Sequence, residues 1–90
     1  MDALEQLPVS NRTRVEILAS ILKVAAHRTL KTHIMYKANL SYRQLQRYLE
    51  YLETNGLLTR VLDNNTLMFE VTEKGMEFLK DYQKISIYFN

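Results

Sequence analysis

Apolar positions recur at helical spacing through Ile17, Leu18, Ile21, Leu22 and Ala25, which predicts a core-facing helix over about Arg12 to Ala26. Thr13 and Glu16 stand at capping-box spacing ahead of it, with Asn11 an alternative cap. His27-Arg28 interrupts the pattern. Thr29 then reads as the N-cap of a short helix over about Leu30 to Ala38, with Ile34, Met35 and Ala38 inward and Lys31, Thr32 and Lys37 outward. Asn39 suits the left-handed conformation that ends helices. A third helix opens at Ser41, whose S-x-x-Q spacing to Gln44 is a second capping box with Leu40 stapled to Leu45. Leu45, Leu49 and Leu52, with Tyr48 beside them, form its inner face, and Asn55-Gly56 closes it. Tyr36 and Tyr48 are both expected in the core, hydroxyls at its edge. Two helices abutting across so short a turn have the layout of a helix-turn-helix.

After Gly56 the period changes to two. Residues 57–62 and 67–71 read as strands joined by Asp63-Asn64-Asn65-Thr66, a tight-hairpin composition. Thr72 caps a last helix of about Glu73 to Ser86, with Met76 and Leu79 expected to close the core. Residues 1–10, punctuated by Pro8, read as a flexible N-terminal leader packed by Leu4 and Leu7.

The net charge of +2 hides its distribution. From residue 17 to residue 49 stand Lys23, Arg28, Lys31, Lys37, Arg43 and Arg47, with no acid. Such a stretch suits a polyanion. With Leu45 at 0° and about 100° per residue, Gln46 falls near 100°, Arg43 near 160° and Arg47 near 200°, all opposite the core. Arg can read guanine and Gln adenine through paired hydrogen bonds, so these three are the candidate base readers. Glu50 falls on the same side and would repel phosphate, which places the end of the contact surface before it. Arg28, Lys31, Thr32, Lys37, Tyr42 and Gln44 are the candidate phosphate and sugar contacts, with Arg60, Asn64 and Asn65 the candidates on the hairpin.

Other chemistry finds little support. The 90-residue chain has no Cys, and His27 and His33 do not form a ligand set; no metal or other cofactor is expected. No nucleophile–base spacing or phosphate-binding glycine loop occurs, so the chain reads as a non-enzyme. No apolar run approaches the roughly 20 residues of a membrane span. Asp2 and Glu5 near the start do not suit a secretory signal, and the expected location is the cytoplasm.

Arg12-Thr13-Arg14-Val15-Glu16-Ile17, the run from Thr32 to Tyr42, Gln44-Leu45, Tyr48-Leu49, Asn55-Gly56-Leu57 and Thr72-Glu73-Lys74-Gly75 resemble small archaeal winged-helix proteins, predicted DNA-binding transcriptional regulators. The resemblance covers roughly residues 11–85. It implies an α+β, mostly α fold: a winged helix-turn-helix domain over residues 11–72 with a two-stranded wing, and a C-terminal helix over residues 73–90. It also implies double-stranded DNA as partner, read in the major groove by the helix at 41–55. His27-Arg28 stands where relatives often carry Gly. The wing offers Arg60 against Asp63 where theirs are often basic.

Gly75, Phe78, Tyr82, Ile85 and Phe89 recur at 3-4-3-4 spacing, a coiled-coil-like seam. Residues 73–90 are therefore expected to make a homodimer, and some relatives in the resembled group pair through a C-terminal helix. The alternative packs the stripe onto the first helix. A twofold dimer would set two recognition helices about 34 Å apart, one turn of duplex. The rival function is a winged-helix protein–protein interaction module in a larger transcription or chromatin assembly. The acid-free stretch favours DNA; the acidic second half and weak wing favour the rival. No small-molecule ligand is indicated.

Overall fold

Two reciprocal caps fix the helix starts that matter most. In the computed structural model, which describes residues 3–8 and 12–88, Thr13 Oγ1 accepts from the Glu16 N–H while the Glu16 carboxylate accepts from the Thr13 N–H, both at 3.1 Å. Ser41 and Gln44 repeat the arrangement at 3.2 and 3.0 Å. They open α1 (Arg14–Val24) and α3 (Tyr42–Thr54). Between them lies α2 (Lys31–Lys37), followed by the hairpin β1 (Leu58–Asp63) and β2 (Thr66–Val71), and by α4 (Glu73–Ser86). The order is as the hydrophobic pattern predicts.

The turns are set by residues that tolerate positive φ. Asn39 adopts φ 54° between α2 and α3, and Gly56 adopts φ 71° after α3. Asn64 and Asn65, at φ 51° and 65°, fill the two-residue loop between the paired Asp63 and Thr66. Two consecutive left-handed residues are what a type I′ hairpin requires.

Ile17, Leu18, Ile21 and Leu22 of α1, Ile34 and Ala38 of α2, and Leu45, Tyr48, Leu49 and Leu52 of α3 form one core, closed by Leu58 and Phe69 of the hairpin. Thr72 caps α4 by accepting from the Gly75 N–H.

Five expectations need correction. Thr29 is not the cap of α2; it exchanges both backbone hydrogen bonds with Phe69, at 2.9 and 2.7 Å, and so adds a single-residue rung to the hairpin. Tyr36 is 83% exposed rather than buried, because in the short α2 Ile34 and Ala38 occupy the inward line and Tyr36 lies opposite. Met76 is exposed as well, and Gly75 takes the inward position beside Leu79. Gly75 is thus packed against Leu57 and Val71 and cannot belong to a seam.

The fifth concerns the leader's flexibility; Leu4 and Leu7 pack it as expected. Residues 3–8 are docked, with a short 3-10 turn over Leu4–Gln6 and Leu7 only 3% exposed within the core. Three successive carbonyls hold it down: Gln6 accepts from Arg47, Leu7 from Arg14 and Pro8 from the Tyr48 hydroxyl. The remaining leader residues, 1–2 and 9–10, and the alternative cap Asn11 lie outside the described residues.

Candidate nucleic-acid interface

The outer face of α3 is built by its inner one. Leu45, Tyr48, Leu49 and Leu52 are buried, so Arg43, Gln46 and Arg47 emerge together from the first two turns into solvent. The side chains of Arg43 and Gln46 have no hydrogen-bonding or ionic partner among the described residues. Arg47 is also exposed, and its Nη2 donates to the Gln6 carbonyl at 3.2 Å.

On the side of α3 toward α2, the Lys31 ammonium lies 4.7 Å from the centre of the Tyr42 ring and 3.3 Å from its hydroxyl. That contact holds the cation beside the start of α3 without neutralising it. Thr32 and Lys37 are exposed on α2, with no side-chain partner among the described residues. Gln44 is half-buried, and its oxygen is taken by the cap, which leaves only its amide nitrogen to offer.

The cations nearest the hairpin are spent. Arg28 pairs with Asp63 at 3.5 Å and with Glu70 at 3.4 Å. Arg60 pairs with Glu53 at 2.7 Å while lying over the Phe69 ring, and this carboxylate raises the guanidinium pKa above its ordinary value. Exposed pairs of this kind are individually weak, but they cancel the charge a phosphate would meet. Asn64 and Asn65 are exposed at the turn, where backbone conformation accounts for them. Instead of a basic tip, the hairpin presents Leu62 and Leu67, directly opposed across the strands and 72% and 42% exposed.

Sequence reasoning missed two parts of this surface. Tyr36 stands out from α2 among the outward residues, legible only once its helix was seen to be two turns long. The contacts of Arg14 and Arg47 with the leader carry no sequence signal, because main-chain carbonyls are present everywhere.

Of the expected seam, Phe78 is half-buried and packs against the core, Tyr82 is half-buried, and Ile85 is 55% exposed. Together with Val15 they line an open apolar groove of about 790 Å³ between the start of α1 and the second half of α4. Phe89 lies outside the described residues.

With this geometry in view, comparison with known proteins is decisive as to family. The winged helix-turn-helix family profile matches residues 11–88. The chain belongs to that family. Among relatives, MJ0287 of the archaeon Methanocaldococcus jannaschii, an uncharacterized protein, is 35% identical over 65 residues, or 71% of this chain. That alignment spans 63% of the length of MJ0287, less than two thirds of it. Among solved winged-helix structures, Sso10a-2, a DNA-binding protein from Sulfolobus solfataricus, superposes with a TM-score of 0.77 at 27% identity, covering 86% of this chain and 81% of its own. A point mutant of S. aureus MepR bound to an oligodeoxyribonucleotide superposes with a TM-score of 0.69 over 96% of this chain and 64% of its own. At 18% identity the latter likeness concerns the fold alone. No helix among the described residues of this winged-helix chain is long and apolar enough to cross a membrane.

Proposed function

We propose that this protein is a DNA-binding transcriptional regulator of the cytoplasm that lays α3 in the major groove. The observation that carries the reading is the acid-free outer face of the first two turns of α3. Arg43 and Gln46 stand there without intramolecular partners among the described residues, beside the placed Lys31 cation. Sso10a-2, a DNA-binding protein, shares this fold and supports the choice of ligand. Arg43 and Gln46 read base edges; Lys31, Thr32, Lys37 and Tyr42 meet phosphates and sugars. Salt-titrated binding to genomic and to mixed-sequence duplex tests this. Affinity that falls with salt on both, with a tighter genomic subset, is expected. Absence of duplex binding at low salt refutes it.

The regulator acts as a homodimer through Phe78, Tyr82, Ile85 and the residues beyond. Support comes from the uncovered run at the end of α4, where Ile85, Ile87 and Tyr88 are 55%, 69% and 81% exposed. Contiguous apolar surface of this kind marks association. Light scattering at high micromolar concentration should give twice 10.7 kDa for the parent and the single mass for Ile85→Glu/Tyr82→Glu. A parent that runs at the single mass overturns it.

One observation favours the rival reading, a protein–protein module. The exposed Leu62–Leu67 pair gives the wing an apolar tip that suits a protein surface better than a phosphate backbone. Leu62→Lys should strengthen duplex binding if the wing faces DNA, and should abolish partner capture if the rival holds.

A further inference from the structure

We infer that the leader segment Gln6–Pro8 is a built part of this interface: a main-chain bracket that holds Arg47 as a phosphate contact on the edge of α3 away from Lys31. The inference rests on the DNA reading above and assigns to Arg47 a role different from base readout.

The bracket is firmly made. Leu7 is buried in the core, and Leu4 packs beside it. The carbonyls of residues 6, 7 and 8 each accept one hydrogen bond from the body of the domain, from Arg47 at 3.2 Å, Arg14 at 2.9 Å and the Tyr48 hydroxyl at 2.7 Å. Arg47 and Tyr48 are neighbours on α3, and Arg14 opens α1, so the segment crosses from one helix to the other.

Its acceptors are uncharged. Arg28 and Arg60 face carboxylates and lose their field, whereas Arg14 and Arg47 donate to carbonyls and keep theirs. With Nη2 committed to Gln6, Arg47 retains Nε and Nη1 for an outward acceptor. A single charge-assisted bond to a phosphate oxygen needs no more. Ordering the side chain before DNA arrives removes part of the entropy cost of binding.

Position agrees. Relative to Leu45, Tyr42 with its Lys31 lies near 60° around α3 and Arg47 near 200°, so Arg43 and Gln46 project between two immobilised cations. A helix in the major groove is flanked by a phosphate backbone on either side. Here the second edge is supplied by the leader rather than by the wing.

Binding of the full chain to mixed-sequence duplexes, measured from about 50 to 200 mM salt, tests the bracket. Arg47→Ala should lower the salt slope by about 0.9 and weaken all sequences alike, while Arg47→Lys should recover the slope. Tyr48→Phe keeps the ring and removes only the bond to Pro8; Leu7→Asp dislodges the segment. Each should weaken binding in the parent, by up to about three- to fourfold at 200 mM salt, and should cost nothing more once Arg47 is Ala. If Leu7→Asp fails to fold by circular dichroism, Tyr48→Phe carries the comparison. Three results overturn the inference: losses that persist in the Arg47→Ala background, tighter binding when the segment is dislodged, or an Arg47→Ala defect confined to one sequence with an unchanged slope. In all three, a parent that still binds duplex and is weakened by Lys37→Ala leaves the DNA reading standing. A parent that binds no duplex removes that reading, and the bracket with it.

Discussion

Gly75 lies directly against the Leu57 carbonyl. A Cβ at this position would overlap that oxygen and stand 2.6 Å from Val71 Cγ2. The contact seats α4 at the junction of α3 and the hairpin, since the Leu57 carbonyl also accepts from the Thr72 N–H at 3.1 Å. The overlap is with backbone, which cannot swing aside. Gly75→Ala should therefore destabilise the fold by about 1–3 kcal/mol despite the better helix propensity of Ala. Urea denaturation measures this, and an unchanged midpoint would contradict the packing described.

The two classes of DNA contact should separate on mutation. Arg43→Ala, which removes the guanidinium proposed to read base edges, should cost about 1–3 kcal/mol at a specific site and far less on mixed sequence. Lys37→Ala should weaken every duplex similarly and reduce the salt slope by about one. Titrations on a selected site and on mixed-sequence duplex check both.

The wing should matter little to DNA affinity. Its Arg60 is tied to Glu53, and Arg28 is tied to Asp63 and Glu70. Replacing Asn64-Asn65 by Gly-Gly preserves the positive φ values and should leave duplex affinity nearly unchanged. A loss beyond tenfold, about 1.4 kcal/mol, would place the tip on the DNA.

Alkaline pH should report on the burial of the Tyr48 phenol. Burial pushes the Tyr48 phenol above its ordinary 10.0, with Arg14 and Arg12 pulling the other way. A raised folded-state value contributes stability that is complete below pH 10.0 and is lost as pH rises through the folded value, because the unfolded phenol ionises first. Parent stability should thus fall above pH 10.0 more steeply than that of Tyr48→Phe, as thermal melts across that range would show.

What could be read from sequence was local. The Thr13–Glu16 and Ser41–Gln44 caps each join residues three apart, and Asn39, Asn64 and Asn65 carry their conformational tolerance in the side chain itself. Face assignments survived in the 13-residue α3, where four apolar residues agree, and failed at Tyr36 in the seven-residue α2. Long-range pairing left no trace. The Arg28–Glu70 pair spans 42 residues, and Arg47 finds Gln6 across 41, so Arg28, expected on phosphate, proved paired to carboxylates and the leader proved engaged. The candidate base readers were legible because their outward position depends only on the helix period and the leucines behind them.

The rung between Thr29 and Phe69 makes the wing a cantilever. Its root is clamped three ways, by the reciprocal Thr29–Phe69 bonds and by the Val71 N–H donating to the Ala25 carbonyl at 2.9 Å. Beyond Phe69 the hydrogen bonds and ion pairs of the hairpin among the described residues are those of its own two strands and the exposed Arg28–Asp63 pair. Amides at the root open only when the whole core opens, while those near Leu62 and Leu67 are free to fray on their own. A load on the tip is therefore absorbed by bending within the outer hairpin, and the angle at which α2 and α3 are presented stays fixed.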